Sequence, residues 1–166
     1  MKDSRITKLA ENLINNAIAL KEGENSLIEI TDTPDEWSTE LIKAVQKAGG
    51  NAFVHNYNGR VRRQMILSAT DEQMKLSADL AMEEMQKMQC YIAVRAAENA
   101  MENCDVPGEQ MKKYRLANQA VLDYRVNKTR WCVLRWPNAS MAQAAMMSTE
   151  SFEDFYFEAC LADYPR

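Results

Sequence analysis

Residues that commonly hold metal ions are scarce in this chain. Its 166 residues contain a single histidine, His55. A catalytic zinc ion needs about three protein ligands and an open position, and no H-E-x-x-H pair is present to supply two of them. No group of aspartates and glutamates has a spacing suited to a metal ion. We therefore interpret His55 as a structural or partly exposed strand residue, and we expect no catalytic residue, metal ligand or cofactor in this chain.

Loops that bind nucleotide phosphates are also missing from the sequence. Neither G-x-G-x-x-G nor G-x-x-x-x-G-K-[ST] occurs, so the glycines that let a backbone approach a phosphate are absent. A serine or cysteine nucleophile would need a nearby base, and His55 lies on a different predicted strand from every candidate. Residue chemistry alone therefore predicts no self-contained active site.

Hydrophobic periodicity predicts helices and strands in alternation. Apolar stripes at helical spacing predict helices over 4–21, 34–48, 71–88, 107–126, 140–147 and 149–162. Short apolar runs predict strands over 27–31, 52–57, 91–95 and 131–136. Segment 60–67 is ambiguous, and we expect a short extended or helical piece over the sheet. A stripe of methionines in 71–88 is interpreted as adaptable core packing.

Local signals place the ends of several helices. Thr33, Thr70 and Ser148 each precede a predicted helix and are predicted to cap it, with Pro34 at the first helical position of its helix. Gly23 is predicted to end the first helix because it can adopt a positive φ. In the last helix the residues predicted to be buried are Phe152, Phe155, Tyr156 and Ala159.

Alternating strands and helices predict the α/β class. The expected fold is a three-layer, flavodoxin/Rossmann-like domain over 1–166, with a mainly parallel four-stranded sheet flanked by helices and right-handed crossovers. The polar residues His55 and Asn56 indicate that the second strand lies at an edge, and the continuous apolar run 131–136 predicts an inner strand covered on both faces. We predict the strand order 2-1-3-4.

The carboxyl ends of the strands are the best candidate for a functional site. Ligands of open parallel sheets bind beyond these ends. The residues expected there are Asp32, Arg95, Glu98, Asn99, Arg135 and Trp136. The loop over 96–105 is longer than the ~2–6 residues usual between a strand and a helix, as functional loops often are. The alternative is a solvated loop in which Asp105 caps the next helix.

Charge, hydropathy and cysteine spacing exclude several classes of function. The net charge is −4 and no basic block is present, so nucleic acid is not an expected partner. No apolar run reaches the ~18 residues of a membrane span, and the charged N-terminus does not resemble a signal peptide. Four cysteines lie far apart, at Cys90, Cys104, Cys132 and Cys160. We expect them to be reduced, in a cytoplasmic protein.

Four segments resemble one family of peptidases. They are LAENLINNAIALKEGENSLIEI, RVRRQMILSATDEQ, DVPGEQMKKYR and the run VLDYRVNKTRWCVLRWPNASMAQAAMMSTESFEDFYF, in that order along nearly the whole chain. Together they resemble the N-terminal domain of the aminopeptidase S / aminopeptidase T family of metallopeptidases. One departure falls in AENAMEN, where relatives are expected to have an Asn-Pro pair and this chain has Asn99-Ala100.

The resemblance implies that two domains of the enzyme have different roles. In that family an N-terminal α/β domain precedes a C-terminal domain, which supplies glutamate, histidine, aspartate and tyrosine ligands to two divalent metal ions of the zinc or cobalt type. The whole enzyme removes N-terminal residues from peptides with a metal-activated water. The expected partners of this chain are therefore its own C-terminal catalytic domain, a second subunit of a homodimer, and peptide substrates. The chain itself is expected to be inactive and to end at Tyr164-Pro165-Arg166 without a tapering tail.

The competing hypothesis comes from the residue chemistry without the resemblance. A chain with no active site of its own also suits a stand-alone, flavodoxin-like interaction or small-ligand-binding module. A further stretch rich in histidine, glutamate and aspartate in the parent gene would favour the peptidase.

Overall fold

The centre of the structure, a computed structural model that describes residues 3–162, is a four-stranded sheet. The strands are β1 (Asn25–Thr31), β2 (Asn51–Tyr57), β3 (Cys90–Arg95) and β4 (Arg130–Arg135). All neighbouring strands pair in parallel, in the order β2-β1-β3-β4. The predicted strand order and α/β class are confirmed. The predicted end of the chain, Tyr164-Pro165-Arg166, lies outside the described residues.

Within residues 3–162, seven α-helices surround the sheet. They are α1 (Ser4–Asn12), α2 (Asp35–Lys47), α3 (Gly59–Ser68), α4 (Asp71–Met85), α5 (Gly108–Lys128), α6 (Ala139–Ala144) and α7 (Thr149–Leu161). Buried residues of α1, α2 and α7 pack on one face of the sheet, here called the α1/α2/α7 face. Buried residues of α4 and α5 pack on the other, the α4/α5 face. Within residues 3–162, no helix combines the length and the apolar character needed to cross a membrane.

The two central strands are buried on both faces. In β3 every side chain from Cys90 to Val94 is buried. Successive strand residues point to opposite faces, so Ile92 joins the core under α1, α2 and α7 whereas Tyr91 joins the core under α4 and α5. The methionine stripe contributes to the second core through Met85 and Met88. The prediction that it serves core packing is confirmed.

The prediction that the fourth strand is an inner strand was wrong. In the described part of the chain, β4 pairs only with β3 and lies at the edge of the sheet. Its burial alternates, and Trp131 is 45% exposed. The run is apolar for a different reason: one side packs against the core through Cys132 and Leu134, and the other side is left open.

The first helix ends earlier than predicted. After Asn12 it widens into a π-helical turn over Leu13–Ala17, and Ala19 adopts a φ of 44°. The carbonyl of Ile18 accepts a hydrogen bond of 2.8 Å from Nε of Arg130. This tertiary contact takes the place of a further helical hydrogen bond, so the helical segment ends at Ala17. Gly23, whose φ is 79°, lies six residues further along the chain and does not end the helix.

Helix starts were predicted correctly where the capping side chain is solvated. The Thr70 hydroxyl accepts from the Gln73 N–H, and the Ser148 hydroxyl accepts from the Ser151 N–H. The predicted Thr33 cap was wrong, because α2 begins at Asp35 with Pro34 as its N-cap residue and no capping side chain. The hydroxyl of Thr33 is buried without a partner. Segment 60–67 is helical, within α3.

Of the four residues predicted to be buried in the last helix, only Tyr156 is buried, whereas Phe152 is half-buried and Phe155 and Ala159 are exposed. Tyr156 and Phe157 are buried, whereas Phe155 is 56% exposed. The Phe157 ring lies 4.4 Å below the guanidinium of Arg5 on α1. The neighbouring helix therefore decides which aromatic residues of α7 face inward.

Candidate functional site

The carboxyl ends of the strands bring two of the predicted site residues side by side. In the sheet register Tyr57, Thr31, Arg95 and Arg135 form one row across β2, β1, β3 and β4. Residues paired in this way point to the same face. Tyr91 and Ala93 pack on the α4/α5 face. Arg95 follows Ala93 by two residues and therefore points to the same face, so this row lies at its carboxyl end.

The rim carries positive charge. Arg95 is partly buried and Arg135 is exposed. Within residues 3–162, neither guanidinium has an acidic side chain within ion-pair distance. Two unneutralised arginines on adjacent strands create a potential that attracts carboxylates, and their planar donors suit such groups.

Trp136 belongs to the core more than to the rim. Its ring meets that of Trp37 edge-on, with centroids 5.4 Å apart at 80°, and it meets Phe157 at 5.9 Å. The Trp136 N–H donates to the Arg95 carbonyl over 2.9 Å. Trp136 therefore fixes the end of β4 beside Arg95, from the α1/α2/α7 face.

The long loop after β3 is a chain of turns held at both ends. Glu98 and Asn99 are exposed, and Oδ1 of Asn99 accepts from the Met101 N–H over 3.0 Å. At its far end the Asp105 carboxylate forms an ion pair with Arg63 of α3. The guanidinium of Arg63 holds the pKa of that carboxyl below its ordinary value of 3.8. The expected alternative in which Asp105 caps α5 was wrong, since Pro107 is the N-cap residue.

Asp32 joins the end of β1 to the start of α3. It adopts a φ of 53°, and both oxygens of its carboxylate accept from the Gly59 N–H, at 2.9 and 3.0 Å. A Cβ on residue 59 would lie 2.5 Å from Oδ2 of Asp32. This predicted rim residue therefore holds the backbone in place and does not point into open space.

A group of charged and aromatic residues under α4 and α5 was not predicted. The Arg125 guanidinium lies 3.9 Å from the centroid of the Tyr91 ring, and its Nη2 is 3.8 Å from Oε2 of Glu29. The Tyr91 hydroxyl donates to the same carboxylate oxygen. Burial, followed by the charge of Glu29, raises the pKa of Tyr91. The signal in the sequence was Glu29 itself, an acid inside an otherwise apolar central strand.

The single histidine is part of the same face. His55 Nε2 lies 3.1 Å from Oε1 of Glu84 on α4, and its Nδ1 lies 3.1 Å from the Tyr57 hydroxyl. Burial, together with the charge of Glu29, raises the pKa of Tyr57 to about 12. Both ring nitrogens of His55 thus have protein partners, one on α4 and one on β2.

A comparison with sequence models of protein families shows which family the chain belongs to. The sequence model of the thermophilic metalloprotease (M29) family matches residues 2–165. The chain belongs to the M29 metalloprotease family. A comparison with curated protein sequences found no significant match.

Solved structures support the fold of this M29 chain. It resembles wild-type AmpT from Thermus thermophilus with a TM-score of 0.70 and 16% sequence identity, over 95% of this chain and 42% of that one. The chain therefore spans less than half the length of that structure. VinN matches with a TM-score of 0.36 and 8% identity, over 92% of this chain and 27% of that one, a likeness too weak to carry an argument.

The described residues 3–162 of this M29 chain do not fit a metal ion. A metalloprotease requires one, and the usual ligands are histidine, carboxylate and thiolate groups in sets of three or more. In the described range 3–162, no such set of His, Cys, Asp or Glu side chains is grouped closely enough to hold a metal.

We predict that Asp105→Asn loosens the loop over 96–105. The variant keeps the shape of the side chain but loses the ion pair with Arg63. The loop amides should exchange faster with deuterium, measured by mass spectrometry of peptides from this segment. Asp79→Asn, which removes the ion pair with Lys75 on α4, is the matched control and should leave the loop unchanged.

The same loop should respond to acid in a defined direction. Because the folded chain lowers the pKa of the Asp105 carboxyl, the ion pair contributes above the ordinary carboxyl range and is lost as the pH falls through the lowered pKa. After correction for intrinsic exchange rates, the loop amides of wild type and variant should exchange at the same rate once the pH is below the lowered pKa of Asp105. Equal exchange in both proteins at neutral pH would contradict the prediction.

We predict that Gly59→Ala destabilises the fold through Asp32. The new Cβ displaces the carboxylate from the Gly59 N–H, and loss of this bond should lower the free energy of unfolding by about 1 kcal/mol. Urea denaturation measures it. Gly108→Ala is the control, because no atom lies within 4 Å of its added Cβ.

A double variant separates this contact from a general helix effect. In the Asp32→Ala background the carboxylate is absent, so Gly59→Ala should not lower the free energy of unfolding any further. Strictly additive losses in the double variant would show that Asp32 is not the cause.

Proposed function

We propose that this chain is the N-terminal part of a metal-dependent aminopeptidase, which removes N-terminal residues from peptides. The observation that carries the proposal is the match of the M29 family over residues 2–165. The likeness to AmpT over 42% of that chain's length supports a division of the enzyme into two parts. In this proposal two divalent ions, of the zinc or cobalt type, are held by a C-terminal catalytic domain.

The proposed role of the chain itself is to shape the substrate cavity. Its positive rim, with Arg95 and Arg135 on adjacent strands, would attract the carboxylate of a short peptide. The adjoining loop, with Glu98 and Asn99 exposed, would narrow the entrance. Access would then be limited to short peptides, while bond cleavage takes place in the C-terminal domain.

We further propose that the enzyme acts in the cytoplasm as a homodimer. The four cysteines are free thiols, which suits a reducing compartment. The exposed apolar residues at the β4 edge, including Trp131 and Val133, support association with another polypeptide surface.

The proposal predicts that the isolated 166-residue chain is catalytically inert. Purified chain incubated with Zn²⁺ or Co²⁺ should not hydrolyse an amino-acid amide, and equilibrium dialysis should find no stoichiometric metal. His55→Gln serves as a matched control, since any weak metal binding at the one imidazole would disappear with it. Addition of a polypeptide covering the rest of an M29 relative should produce hydrolysis that a chelator abolishes.

Two outcomes would contradict this function in different ways. Turnover by the isolated chain, lost on chelation and insensitive to His55→Gln, would place a catalytic metal within these residues. If no M29 polypeptide yields activity with this chain, a stand-alone interaction or small-ligand module becomes the better explanation.

A further inference from the structure

Two acidic side chains that lie against the sheet on the α4/α5 face already have partners. Oε2 of Glu29 lies 3.8 Å from Nη2 of Arg125 and also accepts from the Tyr91 hydroxyl. Oε1 of Glu84 lies 3.1 Å from Nε2 of His55. Neither carboxylate is therefore free to neutralise a further cation on this face.

The arginines at the carboxyl end of the same face have no such partners. Within residues 3–162, the guanidinium groups of Arg95 and Arg135 form neither an ion pair nor a hydrogen bond with a protein group. The whole chain has a net charge of −4, so this positive rim does not reflect a general excess of basic residues. Both guanidinium groups keep their planar N–H donors available, and these donors match the geometry of a carboxylate.

Arg95 is held in a fixed place at the centre of the rim. It pairs with Thr31 of β1 on one side and with Arg135 of β4 on the other, and its side chain is half-buried. Burial and the charge of Glu29 raise the pKa of Tyr91, and the charge of Arg95 acts in the opposite direction. The guanidinium of Arg95 therefore lies on the same side of the sheet as Tyr91.

The two guanidinium groups can reach one ligand. Arg95 and Arg135 are paired in register, both side chains point to the α4/α5 face, and neighbouring strands are about 4.8 Å apart. The Trp136 N–H donates to the Arg95 carbonyl, and Nδ2 of Asn138 donates to the Ala97 carbonyl, both over 2.9 Å. These bonds tie the segments after β3 and β4 together, so the backbones that carry the two arginines keep a constant separation.

We propose that Arg95 and Arg135 together bind the C-terminal carboxylate of the peptide substrate and thereby select substrates by length. Their place beyond the carboxyl ends of parallel strands is the usual place for a ligand in such a sheet. The inference rests on the proposed function, in which the N-terminal residue is removed in the C-terminal catalytic domain. A peptide whose two ends must reach two fixed places can have only a narrow range of lengths.

This mode of selection differs from a narrow entrance. A narrow entrance excludes long peptides whatever the charge of their last residue. An arginine pair instead requires a free carboxylate, and a peptide amide of the same length loses the charge that the pair recognises. Binding to an exposed charged site should also weaken as salt is added.

Binding of a model peptide to the isolated chain tests the anchor. Trialanine and its C-terminal amide have the same length and differ in the charge of the last group. In an NMR titration of the isotope-labelled chain, the acid should shift the backbone amides of Arg95 and Arg135, and the amide should not. Arg95→Gln should weaken binding of the acid by about tenfold, as expected for loss of a hydrogen bond to a charged group. Equal affinity for the two peptides would overturn the proposal.

Control variants separate the anchor from unspecific attraction. Arg115→Gln removes an exposed arginine of α5 and should leave the affinity for trialanine unchanged. Arg135→Gln, at an exposed position of an edge strand, should weaken binding in the same direction as Arg95→Gln, and circular dichroism checks the fold of each variant. Binding that neither rim variant weakens would overturn the proposal. So would tighter binding of inorganic phosphate than of trialanine, because the site would then suit a phosphorylated ligand.

Kinetics of the completed enzyme distinguish this inference from the proposed function. With the C-terminal polypeptide of an M29 relative added, Arg95→Gln should raise KM for trialanine, leave kcat nearly unchanged, and leave KM for the amide as it was. Hydrolysis of both peptides with the same KM, unaffected by the variant, would overturn the inference and leave the proposed function intact. If neither peptide is hydrolysed although the chain binds trialanine through Arg95, the proposed function fails and the carboxylate site stands.

Discussion

Burial of β1 and β3 between two layers of helices is the constraint on which the rest of the structure depends. Both strands present apolar side chains to both faces, so each face must be covered by helices to remove them from water. Parallel pairing then requires a crossover after each strand, and the fixed hand of these crossovers sorts the helices onto the two faces. One consequence is that all four strands end at the same rim, where Arg95 and Arg135 meet.

The same burial explains why the carboxylate beneath α4 and α5 has both a cationic and a hydrogen-bonding partner. Glu29 lies in the middle of the sheet, where an isolated carboxylate would be strongly unfavourable. Arg125 neutralises it, and the Tyr91 hydroxyl donates to it. The imidazole of His55 is likewise engaged by Glu84. These groups hold the α4/α5 layer on the sheet, which is a structural task.

The two edge strands differ in the burial of the residues whose backbone groups point outward. At β2 the outward backbone groups belong to residues that pack beneath α2. At β4 they belong to Trp131, Val133 and Arg135, whose side chains are exposed. Within the described residues, unpaired backbone and apolar surface therefore coincide at only the second of these edges.

The sequence by itself determined the α/β class, the solvated caps at Thr70 and Ser148, and the family, because these depend on patterning along the chain. Tertiary structure decided what the pattern left ambiguous. An apolar run such as 131–136 is compatible with a central strand or with an edge, and only the crossover geometry made it an edge. Whether Trp136 faces a rim or a core, and whether Asp105 caps a helix or pairs with Arg63, depends on residues distant in sequence. Local periodicity carries no information about those neighbours, since they are brought together only when the layers pack.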